Sequence, residues 1–164
     1  MDLRTALMVK TFTFISPGRL VDDDLELVLV ETMPADPHRG YVPQYEFEMR
    51  KTGSPGALGT IRLRIGDEVT LKYVGNIGYE VHEEHRGHKY AARSCRLILG
   101  LARVHGLDAV WLTVDPKNVP SQKTCRAIGA RYVETVRIPK THDAYQEGSR
   151  YRRRFKLDLI EELR

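Results

Sequence analysis

The stretch best suited to chemistry in this 164-residue sequence is Ile77 to Ala91. An apolar strand pattern ends at Val81, a charged loop carries Arg86 and Gly87, and a helical pattern begins at Tyr90. Main-chain N–H groups at a helix start have no partner within the helix and point outward. The helix dipole adds about half a positive charge at that end. Such a terminus binds anions, phosphate and pyrophosphate above all. Gly87 lets a backbone approach closely, and Arg86, Lys89 and Arg93 supply cationic side chains. His85 and His88 have i,i+3 spacing, but no third ligand accompanies them. They read as surface or phosphate-side histidines rather than a metal site.

The elements that must hold this loop follow from periodicity. Asp22 to Asp24 form a polar turn into a strand at Leu25 to Val30. Met33 to Pro43 holds Pro34, Pro37, Pro43 and Gly40, so it is a loop. Tyr45 to Met49 and Leu58 to Ile65 alternate apolar and charged residues, the period of half-buried strands. Val69 to Val81 is expected to add another strand, broken by Gly75 and Gly78. Tyr90 to His105 carries an apolar stripe at 91, 95, 98 and 102 and ends at Gly106. Cys95 lies on the stripe and is expected in the core. Ala109 to Val114 reads as a strand with Trp111 in the core, and Pro120 to Ile128 as a second helix closed by Gly129. Tyr132 to Ile138 and Tyr151 to Leu159 read as closing strands. The order strands, helix, strand, helix, strands predicts an α/β (α+β) domain built on one sheet. With no repeat and no linker, residues 1–164 read as a single domain.

Composition sets the outer bounds. A 41% hydrophobic and 29% charged chain can build a core and is not disordered. No apolar run is long enough to cross a membrane, and Met1 to Lys10 lacks the pattern of a signal peptide. Two cysteines, Cys95 and Cys125, make neither a disulfide framework nor a metal cluster, and two free thiols point to the cytoplasm. The formal net charge of +4 suits an acidic small-molecule partner. Arg150 and Arg152 to Arg154 read as a solvated strand face or turn. A nucleic-acid surface would interleave aromatic with basic residues on one sheet face. Phe12, Phe14 and Tyr151 are too few for that reading to be preferred.

The loop and its flanks resemble the GNAT superfamily of N-acetyltransferases, which carries a strand, then Gln/Arg-x-x-Gly-x-Gly/Ala, then a helix. Arg86, Tyr90 and Ala91 stand in register with that pattern. Gly87 matches its frequent Arg-Gly form, and Lys89 replaces a motif glycine. Downstream, Asn118-Val119-Pro120-Ser121 and Ile128-Gly129-Ala130 match a second pattern, Asn-x-x-Ser/Ala, a short helix, then Leu/Ile-Gly. Within the superfamily the second motif, with Lys123, looks most like the branch of ribosomal-protein N-terminal acetyltransferases. The resemblance spans roughly Tyr45 to Leu157. It implies a central mixed, mostly antiparallel sheet flanked by helices, with acetyl-CoA as cofactor and coenzyme A as product. It also implies direct attack of an amine on the thioester. The acceptor would be a small-molecule or peptide amine.

The same resemblance implies cofactor contacts at Tyr79, Val81, Arg86, Gly87, His88, Lys89, Tyr90, Ala91, Asn118 and Ser121. Gly78, next to Tyr79, is the expected place for a strand bulge, with Val81 offering its backbone to the pantetheine. The expected base is Glu80, with His82 second; Glu80 reads equally as a solvated strand residue. Relatives often place a tyrosine acid four residues after the serine of the second motif. Here that position is Cys125, a thiol of ordinary pKa ~8.5 that also reads as a core residue. Tyr132 is a substitute.

The chain departs from the family between its first two long strands. Most members place two helices there, whereas Met33 to Gln44 with its prolines cannot hold them. The acceptor wall then comes from Pro139 to Arg150 (His142, Asp143, Tyr145, Glu147, Arg150), from the N-terminal twenty residues, or from the second subunit of a homodimer. The alternative function is a non-catalytic acyl-CoA-binding module.

Overall fold

The computed structural model describes residues 11–160. In chain order these form β1 (Leu20–Asp22), β2 (Leu25–Met33), a 3-10 turn (Pro37–Arg39), β3 (Gln44–Lys51), β4 (Ala57–Arg64) and β5 (Ile77–Val81). A second 3-10 turn (Glu83–His85) leads to α1 (Tyr90–Val104), β6 (Ala109–Val114), α2 (Val119–Ala127), β7 (Arg131–Arg137), the short α3 (Asp143–Gln146) and β8 (Tyr151–Asp158).

Period-two burial builds the first sheet. Tyr45, Phe47 and Met49 of β3 and Leu58, Ile61 and Leu63 of β4 turn inward, while Glu46, Glu48, Arg62 and Arg64 alternate with them. The stripe of α1, with Cys95, Ile98, Leu101 and Ala102 buried, packs on this face. Phe155 of β8 and Val110, Leu112 and Val114 of β6 extend the same core. Strands β1 to β5 pair antiparallel in chain order, and β6, β8 and β7 form a second antiparallel sheet with β8 in the middle.

One sheet was the expectation; hydrogen bonding divides the strands into two. Asn76 is the main hydrogen-bonded link at their junction. The Asn76 N–H donates to the Trp111 carbonyl at 2.7 Å, and the Trp111 N–H donates to Asn76 Oδ1 at 2.8 Å. Asn76 Nδ2 donates back to the carbonyls of Arg64 (3.0 Å) and Gly66 (3.1 Å). Gly75 makes the approach possible: its φ is +72°, and a Cβ there would lie 2.6 Å from the Trp111 carbonyl oxygen. Past Asn76 no strand pairing joins β5 to β6 among the described residues, and a wedge opens between them.

Three further expectations change. Val69 to Val81 is a strand only from Ile77. Asp67 accepts the N–H groups of Val69 (2.9 Å) and Thr70 (2.8 Å), and Leu71 and Gly75 close i→i−4 bonds, so residues 67–75 coil into turns. No bulge occurs at Gly78, because β4 and β5 stay in register from Leu63↔Ile77 to Gly59↔Val81. Finally, Arg154 is not on a solvated face. It is buried, its guanidinium lies 4.2 Å from the Trp111 ring centroid, and Glu134 and Glu68 pair with it. Trp111 is buried as expected, but under this cation.

Candidate active site

The loop after β5 and the start of α1 form one wall of a cleft of ≈ 630 Å³. Tyr79, Glu80, Val81, Arg86, Gly87, Lys89, Tyr90 and Ala91 line it from this side, and Asn118 and Ser121 from α2. Thus ten of the twelve residues singled out from the sequence share one cleft; His88 and Cys125 do not line it. His85, Pro120 and Thr124 complete the lining; of these only Thr124 carries no signal in the sequence.

No side chain caps the first turn of α1, and its first main-chain bond is Arg93 N–H to the Lys89 carbonyl at 3.0 Å. The N–H groups at this end are therefore left for an anion. Lys89 sits at the N-cap with φ 59° and ψ 24°, the left-handed region that a glycine occupies without strain. Gly87, at φ +92°, turns the loop two residues earlier. Arg86 is anchored through Nε to the Val81 carbonyl at 3.3 Å, tying the cation to the strand end. Arg93 does not join this set. Asp22 and Asp24 hold its guanidinium at 2.7 and 2.6 Å, fixing α1 to the first hairpin.

Across the cleft, the Asn118 side chain accepts the Ser121 N–H at 3.2 Å and caps α2. Its amide NH2 protons are not used by that cap. The Tyr79 hydroxyl lies 2.6 Å from Ser121 Oγ, bridging β5 to α2 where the wedge begins. Burial pushes the Tyr79 phenol above its ordinary value, outweighing the Ser121 hydrogen bond. It remains a hydrogen-bond donor across the physiological range. Glu80, next in the strand, is exposed and makes no ion pair among the described residues. Cys125 is fully buried in the core, with its thiol pushed up to about 12 by burial. A group so placed does not face the cleft and would release its proton reluctantly.

The wedge continues from Tyr79, Asn118 and Ser121 as a space of ≈ 310 Å³ reaching Arg64, Tyr73, Asp115 and Arg152. It meets a third cavity, ≈ 550 Å³, that shares Arg64, Tyr73 and Val74 with it. The proline-rich loop supplies much of that cavity through Met33, Pro34, Arg39, Gly40, Tyr41 and Val42. His142 and Asp143 face it as well, whereas Arg150 stacks on Tyr145 with its guanidinium 3.7 Å from the ring centroid. Residues 1–10, half of the expected N-terminal contribution, lie outside the described residues.

A sheet split at one asparagine, with an anion-binding helix start on one side and an open cavity on the other, is the frame of an acyl-transfer domain. A family model described as acetyltransferase (GNAT) domain matches residues 12–131, and the chain belongs to this family. Solved structures with the same fold include a probable GNAT-family acetyltransferase from Chromobacterium violaceum. It is 13% identical, with a TM-score of 0.64 over 93% of this chain and 91% of that one. The ribosomal alpha-N-protein acetyltransferase RimL, solved with coenzyme A, is 11% identical, with a TM-score of 0.62 over 86% and 98% of the two chains. The self-immunity acetyltransferase MccE, solved with acetyl-CoA and AMP, is 14% identical, with a TM-score of 0.54 over 70% and 61%. No curated protein sequence matches the chain significantly.

Proposed function

We propose that the chain moves an acetyl group from acetyl-CoA to an amine in the cytoplasm. The observation that carries this is the free edge of β5, which the split at Asn76 leaves unpaired beside the uncapped start of α1. In this reading Arg86, Lys89 and the N–H groups from Gly87 to Ala91 hold the pyrophosphate. Val81 offers its backbone to the pantetheine, and the Asn118 amide hydrogen-bonds it from α2. When bound, the thioester supplies an activated acetyl carbon to which an amine can add directly.

The chain's own groups then manage protons. Glu80 faces water beside the cleft and takes the amine proton through it. Tyr79, oriented by Ser121, donates a hydrogen bond toward the leaving sulfur. A coenzyme A thiolate is stable enough, with an ordinary thiol pKa near 8.5, to leave without full proton transfer from a phenol. This role takes the place of the acid expected at Cys125.

The test is a thermal-shift titration with acetyl-CoA on wild type and Arg86→Glu. At a hundred times its dissociation constant a ligand stabilises by about 2.7 kcal/mol. The expected result is a clear shift in wild type and a reduced one in the variant. No shift in wild type at millimolar acetyl-CoA would end the reading. Glu80→Gln should then lower kcat while leaving the acetyl-CoA shift intact. A shift without turnover of any amine would instead favour an acyl-CoA-binding module.

A further inference from the structure

Arg64 is a half-buried cation that the acetyl-transfer scheme does not use. It stands at the end of β4 and lines both the wedge and the cavity beyond it. Its guanidinium lies along β5 at Gly78, where a Cβ would come within 3.4 Å of Nη1 and 3.5 Å of Nη2. These are ordinary van der Waals distances, so the guanidinium packs flat along the strand at this position. Its hydrogen bonds are two long ones, to the carbonyls of Val74 (3.4 Å) and Gly75 (3.3 Å). Among the described residues no carboxylate pairs with it. Other arginines are matched: Arg62 with Glu46 and Arg50 with Glu48 on the same sheet, and Arg152 with Asp115 across the wedge. Burial and the nearby Arg62 charge both work against its cationic form. A guanidinium does not escape by deprotonating at neutral pH, so a half-buried one without a counter-ion is a standing cost.

The surroundings add donors rather than a compensating charge. His142 Nδ1 accepts the Ala144 N–H at 3.1 Å, so a neutral ring carries its proton on Nε2 as a donor. Gln44 and Arg39 line the same cavity. Asp115 is engaged by the Lys117 N–H (2.8 Å), the Ser149 hydroxyl (2.7 Å) and Arg152 (3.6 Å). Asp143 is the carboxylate of that cavity and makes no ion pair with Arg64.

We infer that Arg64 anchors an anionic group of the acceptor, so that the amine substrate carries a carboxylate or phosphate within a few bonds of the nitrogen to be acetylated. This rests on the acetyl-transfer reading and names its substrate class. Because Arg64 touches the wedge and the third cavity together, an anion seated on it would hold a neighbouring amine at the open end of the split between β5 and β6. Amino acids and small phosphorylated amines have that form. Neutral amines, such as amides and amino alcohols, lack the group that would offset the buried cation.

The test compares matched acceptors at saturating acetyl-CoA, following coenzyme A release by the full chain. The common L-amino acids are paired with their amides, and O-phosphoethanolamine with ethanolamine, each rate being corrected for the fraction of neutral amine. The expected result is that one or more anionic members exceed their neutral partners by roughly tenfold or more in kcat/KM. Preference within the first or the second pairing tells carboxylate from phosphate. Arg64→Gln should raise KM for the anionic member, leave the neutral one unchanged, and erase the preference; Arg64→Lys should restore part of it. Melting without ligand checks folding, and Arg64→Gln should be no less stable than wild type, since it removes an unmatched charge.

If acetyl-CoA stabilises the chain but no anionic member outperforms its neutral partner, the inference fails and the acetyl-transfer reading stands. An equal fall in kcat for both members of each pair in Arg64→Gln would also overturn it, because Arg64 would then serve the developing oxyanion. Failure of acetyl-CoA to bind would instead count against the function itself.

Discussion

Replacing Asn76 by alanine should be strongly destabilising, because it removes the main link between the two sheets. Asn76 is 1% exposed and uses both ends of its amide. Truncation strands three main-chain groups: the Trp111 N–H and the carbonyls of Arg64 and Gly66. Leaving a buried polar group without a partner costs about 1–3 kcal/mol. Three such groups, partly relieved by water reaching the wedge, bring the loss to about 3–5 kcal/mol. For a domain of this size each kcal/mol moves Tm by about 2–4 °C, so the transition should fall by roughly 10 °C or more. Thermal and urea unfolding of Asn76→Ala beside wild type measure this directly. Asn76→Asp should be comparably damaging, since it keeps the acceptor for Trp111 but loses both donors and introduces a buried charge. A loss below about 1 kcal/mol in the alanine variant would refute the argument. It would mean that packing alone holds the two sheets at this angle.

Other outcomes follow from the same geometry. Lys89→Gly should stabilise the chain by about 0.5–1 kcal/mol, because a left-handed conformation strains any residue with a Cβ; chemical denaturation measures the change, and a loss would contradict the strain. His105 should make folding pH-dependent. Tyr45 accepts the Ile15 N–H and so donates its own proton to His105 Nε2 at 2.6 Å, and burial lowers the histidine's pKa in the fold. The unfolded chain therefore binds the proton more readily, so this contribution is full above the unfolded value near 6.5 and declines as pH falls through it toward the lower folded value. Melting curves from pH 7.5 to 5 should show the decline, flattened in His105→Gln. Neither cysteine should react with a thiol reagent at pH 8 in the native state, since both are buried and burial pushes both thiols up. Fast native labelling would show that α1 and α2 part readily.

What the sequence displays best is what depends on local order. Arg86-Gly87 between a strand and a helix, and Asn118 three residues before Ser121, are contiguous patterns whose chemistry is that of a helix start. Each is placed in the fold as its spacing implies. The Asp67 turn was less legible because two rules compete. Val69 to Val74 is apolar enough for a strand, but one carboxylate accepting two successive N–H groups holds the backbone in turns instead. Cys125 shows the limit of carrying a role across by position. Spacing places it where a tyrosine stands in relatives, yet the helix turns that position into the core.

The least legible feature is the one on which the site depends. Asn76 lies between glycine and isoleucine in a stretch that reads as strand, and nothing nearby in sequence reveals that its partners are at 64, 66 and 111. A side-chain amide can satisfy one N–H as a strand neighbour would, and then stop, because it offers no second rung. That single substitution of side chain for main chain ends the pairing between β5 and β6. It leaves the β5 edge free toward the helix start, and exposes the wedge to Arg64 beneath. An apolar residue at 76 would lose the bond to Trp111 without providing another means of holding the two sheets at a fixed angle. The polar residue that appears misplaced in an apolar strand is therefore the one that makes room for a substrate.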